Sequence, residues 1–427
     1  MNVVLNKKAF FVALIAIPIV FQEAMTSLNL TPIRYVDELL ASFSFVLIGW
    51  HILTRRKNPK IYFLILFGWL FFAAYSFFFG MGSSYISEVL QMLIHFKFFL
   101  FYVLFRWVFL NKRCDSQFET VFYWCFIVSV LGIVLNVLLG DRFWGIFAAL
   151  PNTRDGSYRY EGFQLKPNDV AFLVSLWFLY VAFKASLEKS TIKIAVAFGV
   201  SLVLLYLNGS RTALLIYPMV MLAFSFLSLK YRLASILICL VAIPGIMATD
   251  YFQLLLQKTE GNIGEFSSIE SSSYIRAIMI YNGFKLLVDY FPMGTGAGTF
   301  GSVMSEGSVV YDQLGIGSMS FFEDMWGVYD SNLATICGEF GFVGLMYFYV
   351  LLPFSVYKDV MSLVGEQSYK VRYVRFYVMS ILFFGLFVSV TNPFFMYQYN
   401  STIFIMAMFL ARNLALKANN RFGHGVS

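Results

Sequence analysis

Three arginines lie in or beside the segments that join long apolar runs, at Arg159, Arg211 and Arg276. A guanidinium group binds phosphate oxygens through two parallel N–H bonds, and the amino-terminal end of a helix favours anions. Arg211 follows Ser210 at the start of an apolar run, so the two residues form a candidate phosphate clamp. The alternative for Arg211 is an arginine that snorkels to a membrane interface. Three arginines at the depth of lipid headgroups would suit a lipid that carries a pyrophosphate.

Two further patterns have both a structural and a functional interpretation. The glycine-rich run Pro292–Phe300 contains Gly296 and Gly298, and it predicts either a turn or a close approach of the backbone to a ligand. Glu88, Gln91 and His95 share one face of a predicted helix, whereas Lys97 points elsewhere. This polar stripe indicates an interhelical hydrogen-bond seam, with a proton relay as the alternative. The aspartates stand apart and form no D-x-D pair, so neither a metal nor another cofactor is expected.

The elements that must position these residues are membrane-spanning helices. The chain is 59% hydrophobic and only 13% charged, well outside the range of soluble domains. A helix needs about 20 apolar residues to cross a bilayer. Twelve runs meet this requirement, at residues 9–28, 36–54, 61–80, 87–110, 118–139, 168–186, 192–208, 211–229, 232–249, 333–356, 373–391 and 398–416. We therefore predict an all-α integral membrane protein of about twelve transmembrane helices.

The basic residues predict which side of the membrane each connection occupies. The net charge is +7, and 21 of the 31 Lys and Arg residues fall in alternate connections and the two tails, with Arg106 counted at the end of the fourth run. Such a bias marks the cytoplasmic side of an inner-membrane protein, so both termini are expected in the cytoplasm. The positive charge is explained by this topology, and nucleic acid is not an expected partner.

Two predicted extracytoplasmic connections are long, near residues 141–167 and 250–332. The second contains an apolar periodicity over 271–291, at Ile275, Ile278, Met279 and Leu286, which predicts a helix along the membrane surface. The chain is thus divided into helices one to nine (1–249), a large periplasmic loop (250–332), and helices ten to twelve with a cytoplasmic tail (333–427).

Three segments resemble the bacterial O-antigen polymerase (Wzy-type) and O-antigen ligase family of membrane glycosyltransferases. They are Arg159–Ala171 (RYEGFQLKPNDVA), Leu207–Leu215 (LNGSRTALL), and a block with Arg276, the glycine run and Asp330–Gly344 (DSNLATICGEFGFVG). In the last block Glu339, Gly341 and Gly344 match an E-x-G-x-x-G pattern. The ligases carry a histidine at the position of Asp330, whereas an aspartate is familiar from the polymerases. The resemblance implies a GT-C-like fold with the long periplasmic loop between helices nine and ten.

The resemblance also implies an activity, with a growing glycan on undecaprenyl pyrophosphate as donor and a lipid-linked repeat unit as acceptor. Arg211 and Arg276 would stabilise the leaving pyrophosphate, and Asp330 would accept the proton of the attacking hydroxyl or serve as a helix N-cap. Expected contacts to sugar or phosphate come from Arg159, Glu161, Ser210, Gly296, Gly298 and Glu339. Expected partners are membrane lipid and a chain-length regulator. The alternatives are an O-antigen ligase, which transfers glycan to lipid A core, and a flippase for lipid-linked oligosaccharide.

Overall fold

The structure, a computed structural model, is almost entirely helical. It describes residues 7–54, 60–82, 84–112, 115–154, 157–210, 212–227, 275–323, 325, 327–364 and 370–422. The described strands form one short antiparallel pair, Thr153–Arg154 with Ser157–Tyr158, in which Thr153 lies opposite Tyr158. The all-α prediction is therefore confirmed. The predicted ninth helix, at 232–249, and the first part of the long loop lie outside the described residues.

Eleven α-helices precede the long connection in the described chain. They are α1 (Lys7–Val20), α2 (Gln22–Ser27), α3 (Val36–Thr54), α4 (Lys60–Phe79), α5 (Tyr85–His95), α6 (Lys97–Lys112), α7 (Asp115–Leu139), α8 (Asp141–Ile146), α9 (Pro167–Leu187), α10 (Thr191–Asn208) and α11 (Ile216–Leu227). Short 3₁₀ helices occupy Thr31–Tyr35, Gly162–Gln164 and Thr212–Leu215.

Seven α-helices follow in the described part of the chain. They are α12 (Ile275–Asp289), α13 (Val309–Gln313), α14 (Ser320–Glu323), α15 (Asn332–Met346), α16 (Leu352–Val364), α17 (Lys370–Val388) and α18 (Gln398–Phe422). A π-helical stretch, Tyr347–Leu351, joins α15 to α16.

Helices α6, α9 and α18 form the centre of the bundle. Helix α18 packs against α6, α7, α9 and α17, and nearly all of its side chains from Tyr399 to Ala415 are buried. The most apolar window of α9 is 78% buried, whereas that of the neighbouring α10 is only 28% buried. Leu, Val, Ile and Phe side chains cover the exposed faces of α3, α4, α7 and α10. An outer surface of this kind is stable when it faces lipid.

Six helices are long and apolar enough to cross a membrane, or seven if the bent pair α5 and α6 forms one span. The count covers the described residues, in which helices lie at eleven of the twelve predicted positions. Several of these helices fall short of the criterion for a span. Thr212–Leu227, for example, is a shorter apolar helix. The twelve-span topology and the periplasmic position of the loop stay predictions.

The predicted fourth span is broken at Phe96. Helices α5 and α6 meet there at a bend of 52°. The backbone N–H of Phe98 bonds the carbonyl of Phe395 at 3.2 Å, so the segment before α18 supplies a hydrogen-bond partner beside the break. A backbone break at membrane depth is stable only when the protein satisfies its polar groups. The side chains of His95 and Lys97, on either side of the break, contact different parts of the protein.

The described part of the long connection builds a small hydrophobic cluster beside the bundle, centred on Met279, Phe300 and Tyr311. Helix α12 confirms the predicted helix within 271–291 and packs closely along α15, where a Cβ on Gly283 would lie 2.6 Å from the Ala334 carbonyl oxygen. Its predicted apolar face was assigned to the membrane surface, which is wrong for these side chains: Ile275, Ile278, Met279 and Leu286 are buried inside the protein. The reason is that α15 and the following loop supply an apolar partner surface.

Candidate functional site

A cavity of about 800 Å³ opens where several helix connections meet. Its size falls within the ~300–1,000 Å³ range of small-molecule sites. The walls come from α2 and α3, the α5–α6 break, the start of α9, the segment before α15 and the segment before α18. Five carboxylates and three basic side chains line the cavity: Glu23, Asp37, Glu38, Asp169, Asp330, Arg34, Lys97 and Lys166. This density of charge is unusual for so apolar a chain.

Lys97 and Asp37 form a buried ion pair in one wall of the cavity. Lys97 Nζ lies 2.7 Å from Asp37 Oδ2 and 3.8 Å from Glu38 Oε1, and the side chains of Lys97 and Asp37 are only 7% and 3% exposed. Desolvation of buried charges is costly unless they are paired, so Lys97 and Asp37 stabilise each other. Gln22 adds a bond to Asp37, with its Nε2 3.4 Å from Oδ1.

A second set of hydrogen-bonded polar side chains lies in the part of the wall formed by α2, the start of α9 and the segment before α18. Lys166 Nζ lies 2.5 Å from Glu23 Oε1 and donates to Tyr397 Oη at 2.9 Å. Tyr397 Oη donates to Asp169 Oδ2 at 3.0 Å. Amides extend this region, because Asn168 donates to Asn392 Oδ1 and Gln398 donates to Gln22 Oε1. Carboxylates, amides and phenols of this kind bind polyhydroxylated ligands, and the lysines suit phosphate.

Asp330 is the predicted catalytic residue that lines the cavity, and Arg276 is paired with it. Arg276 Nη2 lies 2.8 Å from Asp330 Oδ2, and Nε lies 3.2 Å from the same oxygen. Both side chains are about one-third exposed. The structure thus brings two of the three predicted catalytic residues together. The alternative assignment of Asp330 as a helix N-cap is wrong, because Ser331 caps α15 through Oγ and the N–H of Ala334.

A separate group forms where the carboxyl end of α10 meets the loop before α9. Arg159 Nε donates to the carbonyl of Asn208 at 3.2 Å, and Asn208 Nδ2 donates to the carbonyl of Tyr160. Glu161 and Ser210 are buried in the same region. The first two segments of the family resemblance are therefore neighbours in space. Arg211 lies outside the described residues, so its role as a phosphate clamp stays a prediction.

Burial dominates the electrostatics of Glu161. Only 3% of this residue is exposed, and its backbone N–H bonds Asn136 Oδ1 at 3.0 Å. Loss of hydration raises the pKa of the Glu161 carboxyl to about 7, although the nearby positive charge of Arg159 opposes the rise. Glu161 does not line the cavity. The contact of Glu161 to substrate stays a prediction, and the structure places its side chain in the protein interior.

Glu339 binds the glycine-rich loop rather than facing the cavity. Its side chain is fully buried, and Oε1 accepts from the N–H groups of Thr299 and Phe300 and from Ser302 Oγ. The other oxygen, Oε2, lies 2.6 Å from His95 Nε2. Gln91 joins this network through His95 and the backbone N–H of Met304. The predicted hydrogen-bond seam is thus observed for Gln91 and His95, and Glu339 positions a loop.

The glycines of the loop are explained by close backbone packing within the protein. Gly294, Gly296 and Gly298 all have positive φ, at 77°, 97° and 75°. A Cβ on Gly296 would lie 2.8 Å from Gly80 Cα, and one on Gly294 would lie 2.6 Å from the N of Gly341. Gly296 and Gly298 do not line the cavity. The interpretation as a turn is therefore supported, and the predicted ligand contact is not needed to account for Gly296.

Sequence reasoning missed most of the cavity. Lys166 and Asp169 belong to the first segment of the resemblance, but their chemistry was not singled out. Asp37 and Lys97 are charged residues inside apolar runs, which is a usable signal, because such residues are costly in lipid unless they are paired or functional. Tyr397 carries no comparable signal in the sequence.

The comparisons with known proteins add no assignment. No protein-family model matches the chain, and no curated protein matches it significantly. The functional argument therefore depends on the cavity and on the motifs of the chain itself.

Proposed function

We propose that this chain is a membrane glycosyltransferase that polymerises undecaprenyl-pyrophosphate-linked oligosaccharide repeat units into O-antigen or a similar surface polysaccharide. The observation that carries the proposal is the charged cavity of about 800 Å³, to which both the Lys166–Asp169 part of the first family-like segment and Asp330 of the third contribute. An apolar exterior around such a cavity suits a substrate with a lipid tail and a polar glycan head.

The proposed reaction transfers the growing glycan from its lipid pyrophosphate to a hydroxyl of the acceptor repeat unit. The hydroxyl oxygen attacks the anomeric carbon, and the bond from that carbon to the pyrophosphate breaks. Negative charge develops on the leaving pyrophosphate, and arginine side chains at Arg276 and Arg211 would stabilise it electrostatically. A carboxylate would accept the hydroxyl proton, and Asp330 is the residue predicted for that role from the sequence.

The proposal includes a location and partners. The chain would lie in the bacterial inner membrane with both termini in the cytoplasm and the cavity open to the periplasm. Its ligands would be undecaprenyl-pyrophosphate-linked glycan and membrane lipid, with a chain-length regulator as a protein partner in lipopolysaccharide biosynthesis. The alternating distribution of basic residues along the sequence supports this orientation.

A second candidate function is favoured by the break at Phe96. Discontinuous helices that place charged groups at membrane depth are typical of transporters, and Lys97 follows the break and lines the cavity. A flippase for lipid-linked oligosaccharide would use the same polar cavity. An O-antigen ligase would share the donor and differ in its acceptor, lipid A core.

A deletion strain separates these functions. Loss of a polymerase leaves lipopolysaccharide capped with a single repeat unit, and this is the expected result. Loss of a ligase leaves lipopolysaccharide without any repeat unit. Loss of a flippase leaves lipid-linked precursor on the inner leaflet. The measurement is the length distribution of the glycan on gels, together with the leaflet of the precursor. Lipopolysaccharide without repeat units, or precursor that stays on the inner leaflet, would contradict the proposed polymerase function.

Variants in the deletion strain test the residue roles. Arg211→Ala, Arg276→Ala and Asp330→Ala should each abolish long chains while the protein still inserts. Lys285→Ala is the matched control for Arg276, because Lys285 is an exposed cation on the same helix, and Glu306→Ala is an exposed acidic control. A normal ladder of chain lengths with Asp330→Ala would contradict a role for this carboxylate in transfer.

A further inference from the structure

Asp169 holds an unusual position among the carboxylates of the cavity. Each of the other four lies within 4.0 Å of a basic nitrogen: Glu23 near Lys166, Asp37 and Glu38 near Lys97, and Asp330 near Arg276. In the described part of the chain, no basic side chain forms such an ion pair with Asp169. Its carboxylate is therefore not committed to a cation.

The hydrogen bond from Tyr397 orients this carboxylate. An ammonium group only donates, so Tyr397 Oη accepts from Lys166 Nζ and must direct its own proton elsewhere. That proton goes to Asp169 Oδ2 at 3.0 Å. Tyr399 Oη donates to the backbone carbonyl of Asp169 at 2.8 Å, which also fixes the backbone of this residue. Asp169 thus presents an oriented hydrogen-bond acceptor to the cavity.

One oxygen of the carboxylate is left for a ligand. Among the described residues, Oδ2 is engaged by Tyr397, and no hydrogen bond reaches Oδ1. Asp169 lines the cavity, although only 4% of the residue is exposed, so the oxygen that Tyr397 does not engage is available to a ligand bound there. A carboxylate with one oxygen held by a hydrogen bond and the other available to a bound hydroxyl has the geometry of a general base.

We propose that Asp169, rather than Asp330, is the catalytic residue that accepts the proton of the attacking hydroxyl, an inference that rests on the proposed transferase function. In this step the hydroxyl oxygen forms a bond to the anomeric carbon, and its proton moves to Asp169 Oδ1. The bond from the anomeric carbon to the pyrophosphate breaks, and the pyrophosphate leaves with the electron pair. Asp169 then returns its proton to solvent in the open cavity. Asp330 instead positions Arg276 beside the leaving group.

A structural role must be distinguished from this chemical one. Asp169 is the third residue of α9, where a carboxylate also stabilises the start of a helix. Azide makes the distinction, because it attacks an anomeric carbon without a proton to remove. A protein that lacks only its general base still transfers glycan to azide but no longer to a sugar hydroxyl.

The experiment uses purified full-length protein with the lipid-linked repeat units that accumulate in the deletion strain. Elongated glycan and glycosyl azide are measured by mass spectrometry, with and without sodium azide. For Asp169→Asn, we expect elongation to fall by about 10²–10⁴-fold, while azide transfer stays within about threefold of wild type. For Asp330→Asn, we expect elongation and azide transfer to fall together, because Arg276 loses its partner.

Other results overturn the assignment in distinguishable ways. If wild-type protein releases no lipid pyrophosphate, the proposed function fails and the assignment fails with it. If wild type elongates and Asp169→Asn matches it, or loses both reactions, the assignment alone fails. If Asp330→Asn shows the selective loss, Asp330 is the base.

Tyr397→Phe provides a second variant that keeps the aromatic ring and removes the orienting hydroxyl. We expect elongation to fall by about tenfold with azide transfer unchanged, since Asp169 loses its fixed orientation. Equal losses in both reactions would instead assign a packing role to the Asp169–Tyr397 pair and overturn the proposal.

Discussion

His95 and Lys97 show how two residues that are close in sequence serve different parts of the structure. His95 is fully buried and lies against Glu339, whereas Lys97 pairs with Asp37 in the cavity wall. The two residues flank Phe96, where the helix bends by 52°. On a straight helix, the side chains of residues two apart point in directions about 200° apart. Periodicity therefore predicts that His95 and Lys97 face different ways, but it does not predict which residue each one contacts.

The buried carboxyl of Glu161 predicts a pH dependence of stability. Its pKa is about 7 in the folded protein and 4.5 when unperturbed. Between these values the folded protein keeps a proton that the unfolded chain loses, so this contribution to stability is complete below pH 4.5 and is lost as pH rises through about 7. Glu161→Gln should therefore equal wild type near pH 5 and be up to about 3 kcal/mol more stable near pH 8. Thermal unfolding in detergent at both pH values measures this difference, and a constant difference would contradict the shift.

The carboxylate of Glu339 is predicted to be a major support of the glycine-rich loop. Glu339→Gln removes the negative charge that Thr299, Phe300 and Ser302 donate to, and hydrogen bonds to charged groups are stronger than neutral ones. We expect a loss of about 3 kcal/mol and faster proteolysis within the loop.

The control variant is Glu306→Gln, because Glu306 has an exposed carboxylate in the same connection. Its substitution should change stability by less than about 0.5 kcal/mol. Equal unfolding temperatures for the two variants would show that the Glu339 carboxylate does not support the loop.

At the scale of elements, two glycine motifs that are separate in sequence form one close contact. Gly341 interrupts α15 with φ 58° and ψ −150°, and a Cβ there would lie 2.6 Å from the N of Gly294 and from the carbonyl oxygen of Pro292. The N–H of Val343 bonds that same carbonyl at 3.1 Å. The glycine-rich loop and the E-x-G motif of α15 therefore require each other.

Gly341→Ala tests this contact. The new methyl group must displace backbone on the loop, and alanine is strained at a positive φ, so we expect a loss of more than about 2 kcal/mol. Gly199→Ala is the control, because this helical glycine has nothing within 4 Å of its Cβ position and the substitution should be neutral or stabilising by up to about 1 kcal/mol. Similar unfolding temperatures for both variants would contradict the close packing.

At the scale of the molecule, the described chain is a helical bundle with an apolar core, a few buried ion pairs and an apolar exterior. Phe63, Phe67 and Phe78 are among the exposed aromatics of α4, whereas charged pairs such as Lys97–Asp37 are buried. The apolar exterior differs from the charged surface of a soluble protein and suits a lipid environment. The apolar exterior of the bundle supports insertion into a membrane. The orientation of the chain across the membrane is predicted separately, from the distribution of basic residues among the connections.

Cysteine labelling tests the orientation. In a variant without the four native cysteines, Glu306→Cys should react with a membrane-impermeant maleimide in spheroplasts, whereas Lys189→Cys should react only after the inner membrane is permeabilised. Both positions are exposed in the structure, so burial does not protect either one. Labelling of Lys189→Cys in intact spheroplasts, with Glu306→Cys protected, would reverse the topology.

The amino-acid sequence by itself determined the class of protein and the positions of most helices. Helix α3 begins and ends at the predicted residues 36 and 54. Helix α9 is one residue longer than predicted at each end, and α10 is one residue longer at its start. Apolar runs of this length have one stable solution in lipid, because every backbone polar group must be satisfied within the segment. The pairing of α12 with α15 and the break at Phe96 were not predictable, because both depend on partner surfaces.

Only the tertiary structure decided which polar residues meet. Lys97 and Asp37 are 60 residues apart, Lys166 and Tyr397 are 231 apart, and Gln398 and Gln22 are 376 apart. A linear pattern records whether a side chain faces the inside of a helix bundle, but it does not record which distant helix supplies the partner. The cavity, the pairing of Arg276 with Asp330 and the unpaired carboxylate of Asp169 among the described residues all arise from helix packing, where burial forces each charge to find a partner or a ligand.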